Sequence, residues 1–525
     1  MKKNKIYVDL IQTEAKYHFN PTLIFNTICN KKKNVLLLES AENESKNSLE
    51  SMIIIDCAIR ICCFRNIVEL QAKTKNGEKI LHLLDLYISF NVNIHIARKK
   101  MILILTFPII NANNVYLDEE KKLINLSVFE SLRCMINFIH SNINSERSVF
   151  FGGLFSYDLI TNFEPVIRVN KQSNCPDFCF YLAEMLLLLD HRKKNCLIQS
   201  SIFTDDKIEI KRIQTRHVEI KKILNNTFFP KITRCTLNNI TVKVNKTDQK
   251  YREQIHRMKN LIQLGEIFQI VLSRKFYLPC INSLAAYDEL KKSNPSPYMF
   301  FMQDQNFTLF GASPESSLKY DFKNKNVEIH PIAGTRSRGK NKDGSINLDL
   351  DSKIELEMRM DKKELSEHLM LVDLARNDLA KICETGTRYV ENLMKVEKYS
   401  HVMHLVSKVI GKIKEKIDIF HAYQSCMNMG TLTGAPKIRA MQIIAEEQED
   451  RGVYGGAIGY FTGLQKLDTC IIIRSAYVVN NIATIQAGAG IVFDSIANEE
   501  ILESKNKAQA VLIAIAHAHN YRGKI

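Results

Sequence analysis

The sequence predicts an α/β protein, and three observations carry that prediction. Strand-length apolar runs alternate with helix-length segments over residues 1–240, and again over 241–525. Glycines and polar clusters punctuate the runs. The composition, 45% hydrophobic and 25% charged over 525 residues, is that of a soluble globular chain with core enough for two domains or one large composite one.

In chain order, residues 34–38 and 52–55 read as short apolar strands joined by a polar connection over 39–50. SVFFGGLFSY (148–157) is apolar and interrupted by Gly152 and Gly153, which marks a close backbone contact or a tight bend. Residues 178–189 are apolar throughout, and periodicity leaves strand and helix both open. Near residue 240 the texture turns polar, and a helix follows over 248–264, stopped by Gly265. The boundary between the two regions is placed here. Residues 327–332 read as a strand entering a loop over 333–346, AGTRSRGKNKDGSI, with Gly334, Gly339 and Gly344. ELSEHLMLVDLARND (364–378) reads as a helix with Leu365, Leu369, Val372 and, just beyond, Leu379 as its apolar stripe. Residues 401–413 form a Val/Ile-rich strand. Residues 471–479 and 482–486 pair as a hairpin across Asn480 and Asn481. The last helix packs Ala508, Val511 and Ile515.

Charge and cysteine content narrow the function classes. The formal charge is +15, yet residues 351–400 hold 11 acidic against 9 basic side chains, and the surplus lysines lie in short scattered runs. Such runs read as solvated surface, not as a nucleic-acid patch. The thirteen cysteines form no CxxC pair and no zinc spacing, which fits reduced thiols in a cytoplasmic protein. The first residues lack an apolar signal core, and the longest apolar runs fall far short of a membrane span.

Candidate chemistry lies on a few segments. Glu364 and Glu367 are neighbours on one helix face, as are Glu500, Glu503 and Lys507 on the last helix. Two such pairs could build an oxygen-rich site for Mg²⁺, which takes one or two carboxylates with water and substrate oxygens. Salt-bridged surface helices show the same spacing. His404 sits mid-strand with Val402, Val406 and Lys408 on its face, a placement common for a packed histidine. Arg474 interrupts an apolar strand and needs an anionic partner, from protein or substrate. QAGAGI (486–491) reads as a glycine-rich turn able to cup an anion, without the spacing of a nucleotide loop.

Seven segments then speak together: PIAGTRSRG (331–339), ELSEHLMLVDLARNDLA (364–380), SHVMHLVSKV (400–409), MGTLTGAPKIRAMQII (429–444), RGVYGGAIGYF (451–461), DTCIIIRSA (468–476) and QAGAGIVFDS (486–495). In this order and spacing the chain resembles the chorismate-utilising enzymes, most closely the large subunits of anthranilate synthases, over about residues 270–525. Weaker similarity reaches the N-terminus through LLLES (36–40) and GGLFSYDL (152–159).

The resemblance implies β-sheets packed face to face with helices outside, an N-terminal region (1–240) bearing a tryptophan-inhibitor site, and a chorismate-binding catalytic region (241–525). It implies Glu367 and Glu503 as Mg²⁺ ligands, with Glu364 and Glu500 beside them. Gly334, Thr335, Tyr454, Arg474, Gly488, Ala489, Gly490 and Lys507 match chorismate contacts. His404 matches the family's active-site histidine, with Thr431 near the ring. Gln269 stands where isochorismate and salicylate synthases carry a water-activating lysine, and Ala333 where aminodeoxychorismate synthases carry an attacking one. Ammonia as nucleophile and anthranilate as product are therefore expected. An aminodeoxychorismate synthase and a non-catalytic tryptophan-sensing relative are the alternatives. None of the cysteines shows a glutaminase elbow, so a separate glutamine amidotransferase subunit is implied, in a heterotetramer of two of each. Glu39, Ser40, Pro297, Tyr298 and Met299 match the tryptophan site, and Glu50 stands where many enteric-type relatives carry Lys, which bears on the strength of feedback.

Overall fold

The computed structural model describes residues 6–521, apart from 41–48, 93, 109–117, 142–145, 171–173, 227, 238, 342, 399–401 and 448. Most of the polar connection expected over 39–50 thus lies outside the described residues.

Apolar runs buried on both faces became strands. The run left open between helix and strand is the strand Phe178–Asp190, with its first ten residues buried. It runs along Glu50–Phe64 for most of its length. A continuous antiparallel path leads from Gln269–Pro279 through Ile482–Ile491, Ser475–Val479, Thr308–Ser313 and Tyr298–Gln303 to Val35–Glu39. It continues through Glu50–Phe64, Phe178–Asp190, Phe150–Phe155, Ala457–Thr462 and Leu467–Ile471 to Ser316–Asp321. The path folds back over itself. Leu36, Ile54, Tyr181, Phe300, Leu309 and Ile458 share one core to which no helix contributes, as sheet packed on sheet requires. The other faces are covered by helices. Ile80, Leu84, Leu132 and Met135 pack on one side, and Ile24, Tyr287, Val511 and Ile515 on another. Each such side chain contributes about 1.5–3 kcal/mol by leaving water. This is the architecture of facing sheets flanked by helices.

Gly153 answers the question raised by its segment. A Cβ there would lie 2.0 Å from the Cys179 carbonyl oxygen, so the glycine permits close strand approach and no bend forms. The helix Asp248–Gln263 starts at Thr247, whose hydroxyl accepts from the Lys250 N–H, and stops before Gly265 at φ +79°. The hairpin turn has Asn480 and Asn481 at φ 50° and 61°, as a two-residue turn between right-twisted strands demands. All thirteen cysteines are free.

Four local expectations are corrected. The expected loop over 333–346 begins as a strand, Ile332–Ser337, and its later part leads into a further helix, Leu348–Met360. The expected turn QAGAGI is the end of the strand Ile482–Ile491. There the glycines serve close packing: a Cβ on Gly488 would meet the Leu272 carbonyl oxygen at 1.8 Å. The strand expected over 471–479 is broken, because Arg474 sits between two strands at φ 48°. The helix Lys362–Ala380 forms as expected, but Leu369 is 46% exposed while His368, Leu371, Val372, Ala375 and Leu379 face inward. Its sheet-facing side is thus rotated from the expected stripe, because His368 is buried against Ser407, to which its Nε2 is bonded at 2.5 Å.

Candidate active site

The helix Lys362–Ala380 packs on the strands Ile332–Ser337 and Val402–Lys412. Those two strands pair with a register break around Gly334, so that Thr335 lies opposite His404. The side chain of Thr335 lies outside the described residues. Gly334, at φ +68°, forms the bulge, and only hydrogen at its α-carbon leaves room for the Glu364 carboxylate. Glu364 is also bonded by Arg336, which reaches Asp361 at 3.3 Å. His404 is buried, and that burial, helped by the positive charge of Arg474, pulls its imidazole down to about 4, against a bond to the Gly334 backbone. It is therefore neutral at neutral pH.

A second wall comes from the pairing of Gln269–Pro279 with Ile482–Ile491, which sets Gly488, Ala489 and Gly490 opposite Ser273, Leu272 and Val271. Gly490 borders the Gln269 amide. Gln269 is buried, and its Oε1 accepts no hydrogen bond from any described residue. Lys507 donates to the Gly488 carbonyl at 3.1 Å and pairs with Glu503 at 2.6 Å. Glu500 is buried on the same helix while Glu503 is half-exposed.

The centre holds a carboxylate that sequence reasoning missed. Glu315 is buried, and burial raises its carboxyl to about 7 against the pull of the Thr431 hydroxyl and of the Lys507 and Arg474 charges. Arg474 acts on both His404 and Glu315, and Glu315 and Glu503 both act on Tyr454. The expected residues His404, Arg474, Thr431, Lys507, Tyr454 and Glu503 thus belong to one electrostatic neighbourhood around Glu315. The signal in sequence was slight: a carboxylate after Pro314 in the otherwise uncharged run FTLFGASPESSL. A cleft runs between Glu315, Thr431 and Gly430 on one side and Leu371 and Leu374 of the helix on the other.

Arg451, also unanticipated, braces the site from behind. Its fully buried guanidinium donates to Glu449 at 2.9 Å and to the carbonyls of Leu432 and Val271, and lies 5.7 Å from the Tyr454 ring centre. It ties together the segments bearing Thr431, Gln269 and Tyr454.

The five residues expected around tryptophan divide between two faces. Glu39 lies opposite Met299 in register, is buried, and accepts from Lys291, Tyr287 and, at 3.3 Å, Thr22. Tyr298 packs on the helix-free core between the sheets instead, donating to Asp468 at 3.1 Å beneath Lys319. Pro297 precedes it and is buried. The Ser40 hydroxyl is buried with no hydrogen-bond partner among the described residues. Glu50 is paired with Arg147.

The family model described as chorismate binding enzyme matches residues 103–513. The chain belongs to the chorismate-binding enzyme family. Among curated members of that family, "Anthranilate synthase component 1" of Buchnera aphidicola subsp. Pemphigus spyrothecae is 59% identical over 99% of both chains. The protein of the same name from Buchnera aphidicola subsp. Rhopalosiphum maidis is 58% identical over 99% of this chain and 100% of its own. Anthranilate synthase component I of Streptococcus pneumoniae superposes with a TM-score of 0.65 at 27% identity, covering 89% of this chain and 93% of its own. The menaquinone-specific isochorismate synthase of Escherichia coli gives the same TM-score at 16% identity over 98% and 95%, a likeness of fold. Among the described residues of this family member, no helix is long and apolar enough to cross a membrane. No group of three or more His, Cys, Asp or Glu among them is placed to hold a metal ion.

Proposed function

We propose that the chain converts chorismate and ammonia to anthranilate and pyruvate. The observation that carries this reading is Gln269: a buried acceptor with an unfilled Oε1 on the site wall, suited to receive an N–H of ammonia and unable to serve as the base that water addition needs. Ala333 offers no amine to attack the ring.

Ammonia adds at C2 as the C4 oxygen leaves as water. Glu315, with a carboxyl at about 7, is suited to give that oxygen its proton. In the second step C2 loses its proton and the enolpyruvyl group departs as pyruvate. His404, neutral at neutral pH, is suited to accept the proton. Arg474 and Lys507 offer cations for the substrate carboxylates, and Tyr454 with Thr431 borders the ring.

The carboxylates of the two helices suit a hard cation, and two of them from protein are sufficient when water and substrate supply the rest. Glu367 and Glu503 would hold Mg²⁺, with Glu364 and Glu500 beside them; Mg²⁺ on the ring carboxylate would stabilise charge that develops there. Glu503 is paired with Lys507 and Glu364 with Arg336, and a cation held there would compete with those two basic side chains.

Nitrogen comes from a separate glutamine amidotransferase subunit, two of each chain forming the assembly. Tryptophan regulates from the inner face bearing Ser40, Tyr298 and Asp468, while Glu39 is held on the opposite face by Lys291 and Tyr287. Purified chain given chorismate, Mg²⁺ and ammonium should yield anthranilate by mass and fluorescence, and nothing from glutamine until the partner is added. Isochorismate or 4-amino-4-deoxychorismate as product overturns the reading.

A further inference from the structure

The helix Lys362–Ala380 rests on two unequal apolar contacts. Its second half is anchored in a large core through Val372, Ala375 and Leu379. Its first half carries Glu364 and Glu367 and lends Leu365 to a small separate core. The buried members of that core, among the described residues, are Met358, Met403 and Leu405. Between the two contacts lies His368, fully buried, directly after Glu367 and one turn after Glu364. Its Nε2 meets the Ser407 hydroxyl at 2.5 Å. Ser407 belongs to the strand Val402–Lys412, which also carries His404. The Ser407 hydroxyl accepts from the Met394 N–H at 2.9 Å, and the Ser407 N–H donates to the Pro331 carbonyl at 3.1 Å. Met394 stands at φ 54° in the strand Tyr389–Lys398, where the ladder to Val402–Lys412 shifts register. One hydroxyl thus joins the acidic helix, the histidine strand and a bulged neighbour. Because it accepts from Met394, its own O–H is the donor to Nε2.

Stability alone does not call for a histidine here. The other ring nitrogen of His368, Nδ1, is buried with no hydrogen-bond partner among the described residues. An unmet buried polar atom costs about 1–3 kcal/mol. A leucine would fill much of the same volume without that penalty. What the histidine adds is direction. A hydrogen bond has a preferred length and angle, so it fixes the rotation and height of one helical turn where apolar packing is thin. Mg²⁺ demands nearly ideal octahedral geometry and tolerates little displacement of its ligands.

We propose that His368 and Ser407 are positioning residues for Mg²⁺: their bond sets Glu364 and Glu367 against the His404 strand at the spacing the ion requires. The inference rests on the reading that Glu367 and Glu503 hold Mg²⁺. It adds what aims the first of them, a side chain that touches neither substrate nor metal. The bond acts on the ion through the helix backbone, as groups behind a ligand commonly do.

The test titrates the purified chain with Mg²⁺ in a calorimeter. His368→Leu and Ser407→Ala remove the bond, and His368→Gln returns an amide that can meet Ser407 from the place of Nε2. The two broken variants should bind Mg²⁺ at least about tenfold more weakly. The double variant should bind no more weakly than either alone, as one shared interaction requires. His368→Gln should stay within about threefold of wild type. In turnover with ammonium, the Mg²⁺ needed for half the maximal rate should rise by the same factor in the broken variants, while the rate at saturating Mg²⁺ stays within about threefold. His368→Leu should melt no lower than wild type, so that the loss is read at the ion and not in the fold. Wild-type Mg²⁺ affinity in folded His368→Leu and Ser407→Ala overturns the inference, as does His368→Gln binding as weakly as His368→Leu. If His368→Leu fails to fold, Ser407→Ala, which removes a single oxygen, decides alone. No binding heat in wild type, or unaltered binding in both Glu367→Gln and Glu503→Gln, strikes the metal reading and the inference with it, so the two failures are distinguishable.

Discussion

A Cβ at Gly334 would stand 2.5 Å from Oε2 of Glu364. The strand bulge and the acidic helix are therefore fitted to one another through an absent side chain. Gly334 also lies at φ +68°, where an L side chain is strained. Gly334→Ala should push Glu364 from Arg336 and destabilise the fold by about 1 kcal/mol or more. The larger effect should be on turnover, a fall of tenfold or more at unchanged expression. Wild-type turnover in Gly334→Ala would show that the contact has no bearing on the site.

Glu315 links the chemistry to pH. Its carboxyl is raised from 4.5 to about 7 in the fold, so between those values the native chain keeps a proton that the unfolded chain has lost. Stability from this group is complete below about 4.5 and is lost as pH rises through 7, by on the order of 3 kcal/mol. Glu315→Gln should therefore melt higher than wild type at pH 8 and alike at pH 4. Activity at fixed free ammonia should drop about 10²-fold or more and lose its decline above pH 7. Calorimetric scans at both pH values and a rate profile check the two halves.

His404→Met removes the neutral imidazole and keeps an apolar side chain of similar length. Chorismate should still be consumed, with an aminated intermediate accumulating and anthranilate formation slowed by about 10²–10⁴-fold. Quenched-reaction mass analysis separates the species. Anthranilate at the normal rate would assign the proton transfer elsewhere.

For the metal, Glu367→Gln and Glu503→Gln keep volume and remove charge. Each should abolish the heat of Mg²⁺ binding in a titration of the purified chain, independent of turnover. Glu503→Gln should also release Lys507 from its partner at 2.6 Å. Unaltered Mg²⁺ binding in both would move the ion to other ligands.

How much was legible follows from how local each signal was. The helix around Glu364, the stop at Gly265 and the turn at Asn480 and Asn481 depend on neighbours within a few residues, and all three stand. Glycine misled where its role was long-range. Gly334 makes a bulge and Gly488 a close approach to Leu272, yet in sequence both look like turn residues. The helix face was misplaced because His368, a polar residue, is the one buried against Ser407. Glu315 escaped notice because its surroundings, Thr431, Arg474 and Lys507, lie more than a hundred residues away along the chain.

The strand Val35–Glu39 finds one partner in Glu50–Phe64 soon after it is made, but the other is Tyr298–Gln303. Phe150–Phe155 waits still longer, for Ala457–Thr462. During synthesis, apolar strands from the first third therefore emerge with bare edges that only late residues can cover. The nascent chain must be sheltered from its own copies for most of its translation, and a message cut short before residue 457 yields a sticky fragment instead of a smaller working protein.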